Sequence, residues 1–102
     1  MEKRDPHTRL DNVNILVRQG HLQITRVAMD DSYDLGITDP WAEITAELLS
    51  LTDSQHSKSV SDTNGGPYWH EAYKVTTKRG YRAYIKFVVT TTEVQVTSFK
   101  EE

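Results

Sequence analysis

Near residue 55 the spacing of apolar residues changes from helical to strand-like, and this switch limits the folds open to the chain. Before it, Leu10, Val13, Leu16 and Val17 recur at helical spacing, as do Trp41, Ile44, Leu48 and Leu51. Side chains three and four apart share one face of a helix. Asp5-Pro6 and Asp39-Pro40 both read as a cap followed by a first helical residue, because proline lacks an N–H that the first turn leaves unpaired anyway. The spacing predicts a first helix from Pro6 to a stop at Gly20. A second, capped by Thr25, runs through "RVAMDDSYDLG" to Gly36, and a third starts at Pro40. Between the first two, "HLQIT" alternates Leu22 and Ile24 and reads as a short strand.

After the switch, "HSKSVSD" reads as a short strand and "NGGP" as a loop. Segments 68–77, 81–90 and 93–100 are rich in Val, Thr, Tyr, Ile and Phe, which suit a pleated, half-buried surface. "TKRGY" resembles a three-residue hairpin loop with Gly80 in the left-handed position. Such a loop pairs residues whose numbers sum to about 158. Trp69, Tyr73 and Val75 then share a face with Ala83, Ile85, Phe87 and Val89. His70, Lys74, Arg82, Tyr84 and Lys86 collect on the other. Glu71 is a misfit on the apolar side. A one-residue slip would mix the two sets, so the pattern supports this register. Strict alternation also sets Lys100 beside Val94 and Val96, so the last strand needs a bulge or must leave the sheet.

The expected architecture is α+β in two layers, with N-terminal helices packed on a C-terminal twisted antiparallel sheet. A chain of 102 residues suits one domain spanning residues 1–102. No apolar run reaches the ~18 residues of a membrane span. "MEKRDPHTRL" has no apolar segment after its charges, so a signal peptide is not expected and a cytoplasmic location is. Without cysteine there is no disulfide or thiolate metal site. The four histidines are scattered without metal-site spacing, and "NGGP" lacks the lysine and helix of a phosphate loop. No metal or cofactor is expected.

Net charge is −3, but it is uneven. Residues 1–53 carry five Lys/Arg against ten Asp/Glu, whereas residues 54–102 carry seven against five. The second half can offer phosphate a local positive surface. Its exposed face combines an imidazole, a phenol and several cations. RNA cleavage through the ribose 2′-hydroxyl needs such groups: one to take the 2′ proton, others to neutralise the phosphorane, one to protonate the 5′ oxygen. The same residues also describe an ordinary solvated sheet face.

"MEKRDPHTRL", "DLGI", "LTDSQHSKSV", "YWHEAY", "YIKF" and "SFKEE", in that order along the whole chain, resemble the MqsR family. These are motility quorum-sensing regulator toxins, mRNA interferases of bacterial toxin–antitoxin systems. The resemblance implies a RelE-like fold and metal-independent cleavage of single-stranded mRNA that halts translation. It also implies a cognate MqsA-like antitoxin whose zinc-bearing N-terminal domain binds the toxin, with DNA reached only through the antitoxin. The family's active-site lysine in "FYKSM" falls on Lys58, its tyrosine before "LK" or "VK" on Tyr84, and its lysine in "SFK" on Lys100. The glutamine of "WQDVY" is His70 here, which can donate and accept a proton.

From this, Lys58, Lys100 and Arg82 are expected to hold the scissile phosphate. Tyr84 orients it or passes a proton, His70 is acid or base, and Lys74 and Lys86 guide flanking phosphates. The family's Phe-Tyr pair before the lysine is His56-Ser57, so an aromatic stacking surface is missing. Two rival readings are a non-catalytic RNA- or protein-binding module of the same fold, and a lone DNA-binding regulator. The second lacks a basic recognition helix.

Overall fold

The computed structural model describes residues 1–62 and 65–102. Three helices, α1 (Leu10–Arg18), α2 (Arg26–Asp34) and α3 (Pro40–Leu49), precede most of a six-stranded sheet. Its strands are β1 (Glu2–Lys3), β2 (Leu22–Ile24), β3 (His56–Ser61), β4 (Trp69–Thr76), β5 (Arg82–Val89) and β6 (Val94–Glu101), in the spatial order β1-β3-β4-β5-β6-β2. All neighbours are antiparallel except β2, which runs parallel to β6 and pairs Leu22 with Val94. The sheet is therefore mixed. A three-residue alternation carries no information on direction.

The hairpin forms as its loop length requires. Glu71 faces Phe87, Tyr73 faces Ile85 and Val75 faces Ala83, while Gly80 takes φ +92°. The α2 cap is also as expected, with the Thr25 hydroxyl accepting from the Ala28 N–H at 3.2 Å. At α3 the Asp39 carboxylate accepts from Ala42. Ile44 and Leu48 of this helix are fully buried and Leu51 nearly so, but Trp41 in its first turn stands exposed. Of the "NGGP" loop, Gly65, Gly66 and Pro67 lie outside helices and strands, and Asn64 lies outside the described residues.

The start of α1 differs from expectation. It begins at Leu10, with Arg9 as an N-cap whose side chain makes no capping bond. Residues 4–8 instead form an arm whose backbone groups are claimed by side chains of the sheet. Thr8 N–H donates to Glu71 Oε2 at 2.9 Å, His7 N–H to Ser59 Oγ at 3.2 Å, and His56 Nδ1 lies 3.1 Å from the Arg4 carbonyl. A helix from Pro6 would forfeit these bonds.

The arm also accounts for Glu71. Helices cover most of the apolar sheet face, where Tyr73 and Phe87 stack with centroids 5.7 Å apart. At the β3–β4 corner the cover is the arm, with His7 stacked on Trp69 at 4.7 Å. Glu71, fully buried there, meets Thr8, Ser59 and His56. A buried carboxylate is tolerated only when its lone pairs are met in this way.

Candidate active site

Directly opposed residues on neighbouring strands share a face, so the open side of the sheet can be read as ranks. One rank is Lys58, Ala72, Lys86 and Ser98; the next is Lys74, Tyr84 and Lys100. His70 sits one rank before these, beside Val60 and Val88, and Arg82 one rank beyond, beside Thr76.

Two bulges bring the outer lysines onto this face. In β3 the register shifts between His56 and Lys58, leaving Ser57 as the extra residue. His56 consequently points inward, its side chain 2% exposed and edge-on to Tyr73, while Lys58 points outward. In β6, Ser98 faces Lys86 and Val96 faces Phe87, so Thr97 is extra. That residue allows Val94, Val96 and Phe99 all to be buried while Lys100 lies beside Tyr84. The expected bulge is thus present. His56 thus packs its ring into the interior and presents no stacking surface on the open face.

Ala72 shapes what lies between. It carries only a methyl group and is 3% exposed, so it forms a floor where longer residues form walls. A cleft of about 720 Å³ opens over it, lined by Lys58, His70, Tyr84 and Lys86 together with Glu2 and Asp62. A second, of about 690 Å³, is lined by Lys74, Tyr84, Lys86, Ser98 and Lys100 and again by His70, with Val27 of α2 at its rim. His70, Tyr84 and Lys86 belong to both clefts. The backbones of Lys58 and Lys100 are three strands apart, roughly 14 Å at ordinary strand spacing. They approach the shared middle from opposite sides.

Acidic side chains already hold several of these groups. Lys58 Nζ is 3.6 Å from Glu2, Lys74 Nζ 3.7 Å from Glu102, and His70 Nε2 2.6 Å from Asp62 Oδ1. Arg82 is bound to Glu102 at 3.1 Å and to the Thr76 hydroxyl, and it lines neither cleft. Lys86 and Lys100 have no ion-pair partner among the described residues. Of the seven residues expected at the site, six are therefore brought together and Arg82 stands apart.

Three of the four neighbours of these residues carry weaker sequence signals. Glu2 enters through β1, whose two residues are too short to show a period. Glu102 and Asp62 lie beyond strand ends, where alternation no longer assigns a face. Ala72 was legible, since alternation along "HEAYK" sets it between His70 and Lys74. The buried phenol of Tyr73 is excluded from proton traffic: burial, with Glu71 and Asp53 nearby, pushes it well above the ordinary tyrosine range.

The family model described as "Motility quorum-sensing regulator, toxin of MqsA" matches residues 5–101. The mRNA interferase toxin MqsR of Escherichia coli (strain K12) is 33% identical over the full length of both chains. With nearly the whole chain covered by that model, and with the fold and cationic face described above, the chain belongs to the MqsR toxin family.

Proposed function

We propose that this family member is an mRNA interferase: a toxin that cuts single-stranded mRNA endonucleolytically, halts translation and is held in check by a cognate antitoxin. Its place of action is the cytoplasm, where that substrate lies; among the described residues no helix is long and apolar enough to cross a membrane. The observation that carries the reading is the convergence of Lys58, His70, Tyr84, Lys86 and Lys100 on two clefts with a common middle.

In the proposed reaction the 2′ oxygen attacks the adjacent phosphorus and the bond to the 5′ oxygen breaks. The products are a 2′,3′-cyclic phosphate and a free 5′-hydroxyl. Lys58 and Lys100 neutralise the phosphorane from the two sides, with Lys86 between them; stabilising charge that develops in the transition state is the largest contribution such groups make. Tyr84 orients the phosphate, and His70 serves the proton transfer. Lys74 and Arg82, tied to Glu102, suit flanking phosphates of a longer strand. No step in this scheme requires a metal.

The test is incubation of purified protein with single-stranded RNA in the presence of a chelator, followed by mapping of the new ends. Cleavage with cyclic-phosphate ends is expected. Binding without products would instead favour a non-catalytic module of the same fold.

A further inference from the structure

Asp62 lies just past β3 and turns its carboxylate onto His70, with Oδ1 2.6 Å from Nε2. The side chains are 26% and 28% exposed, so the pair is largely shielded from water. The other carboxylate oxygen accepts from the Tyr68 N–H at 3.4 Å. Gly66 makes room for this arrangement. A Cβ there would collide with the Asp62 carboxylate, standing 3.1 Å from its Cγ, and Gly66 is not among the glycines with a left-handed backbone. The missing side chain at Gly66 therefore serves space rather than conformation.

Nδ1 of His70 is buried and has no partner among the described residues. This decides where the ring carries its proton. A neutral ring protonated on Nδ1 would turn a lone pair toward the carboxylate and bury an unpaired N–H, both unfavourable. A ring protonated on Nε2 donates to Asp62 and leaves only a weak acceptor unpaired. We propose that Asp62 is a positioning residue that locks His70 with its proton on Nε2, so that the orientation of the ring is fixed and Nδ1 is the nitrogen left to accept a proton. The inference rests on the reading that the clefts cleave RNA, and its test separates the two.

Long-range proton–nitrogen NMR of the imidazole rings in the full-length protein, at about pH 8.5 where imidazoles are ordinarily neutral, reports the tautomer without any substrate. Nε2 protonation of His70 is expected in the wild type and its loss in Asp62→Ala. Gly66→Ala, which displaces the carboxylate without removing it, should do the same. A wild-type ring protonated on Nδ1, or a tautomer indifferent to both substitutions, overturns the proposal. Activity provides the second readout. If Asp62 were only a negative charge repelling RNA, Asp62→Ala would tighten binding and leave or raise the saturating rate. Positioning predicts a saturating rate about ten-fold lower despite equal or tighter binding. A tautomer that follows Asp62 while neither Asp62→Ala nor His70→Gln alters the saturating rate would uphold the positioning and remove His70 from catalysis.

Discussion

Removing the Glu71 carboxylate tests the account of the arm most directly, and two substitutions at this position should behave very differently. Glu71 accepts from three donors: Thr8 N–H at 2.9 Å, the Ser59 hydroxyl, and His56 Nε2 at 3.1 Å. Glu71→Ala removes the acceptor they share: Thr8 N–H loses its partner and His56 its charged one, while the Ser59 hydroxyl can still turn to the Asp5 carbonyl 3.2 Å away. A buried donor without a partner costs about 1–3 kcal/mol, and breaking a buried charged pair by removing one member about 3–5 kcal/mol. A loss near 3–5 kcal/mol is expected. With a urea slope of about 1–3 kcal/mol/M, the unfolding midpoint should fall by about 1–3 M.

Glu71→Gln, by contrast, can satisfy every group. Its oxygen takes the place of Oε2 and accepts from Thr8. Its amide then donates to Ser59, whose hydroxyl turns to the Asp5 carbonyl 3.2 Å away, and to His56. His56 in turn keeps its Nδ1 proton for the Arg4 carbonyl. Replacing a buried ionic pair by a well-satisfied neutral one is often close to neutral, so a change below about 1.5 kcal/mol is expected. Amide hydrogen exchange provides the local check. Thr8 and His7 should lose protection in Glu71→Ala and keep it in Glu71→Gln. Equal destabilisation by the two substitutions would refute the reasoning, since charge rather than hydrogen-bond satisfaction would then hold the arm.

Three further outcomes are expected. Lys58→Ala and Lys100→Ala should each lower cleavage by about 10²-fold with unchanged circular dichroism; full activity in both would remove them from the site. Lys86→Ala should cost more cleavage than Arg82→Ala, because Lys86 lines both clefts and Arg82 is engaged by Glu102, and rate measurements on the pair decide this. Tyr73→Phe should leave neutral-pH stability unchanged or higher, since the buried hydroxyl has no partner among the described residues. It should also reduce an alkaline loss of stability, part of which remains with Tyr81, whose partly buried phenol is likewise held above its ordinary value. The folded state holds the Tyr73 proton more tightly than the unfolded chain, whose phenol has its ordinary value near 10. Wild-type stability therefore falls as pH rises past about 10, and urea melts at pH 9 and about 11 would show whether Tyr73→Phe makes that limb shallower.

The shift of period near residue 55, the caps at Thr25 and Asp39 and the loop around Gly80 act through neighbours close in sequence. Those features settle the layer order, the β4–β5 register and the gathering of His70, Lys74, Tyr84 and Lys86 on one face. Periodicity along β6 left either a bulge or a departure from the sheet for Lys100, and the strand takes the bulge. What remained hidden depends on contacts distant along the chain. The arm replaces an apparently well-signalled helix start because Glu71, Ser59 and His56 capture its backbone, and no local pattern records that competition. The bulge that turns His56 inward and Lys58 outward, the parallel edge at β2 and the meeting of Asp62 with His70 are likewise set by strand pairing. Local chemistry chose most of the elements and the sides taken along β4 and β5; long-range hydrogen bonding chose where the chain bends, and so which charges meet.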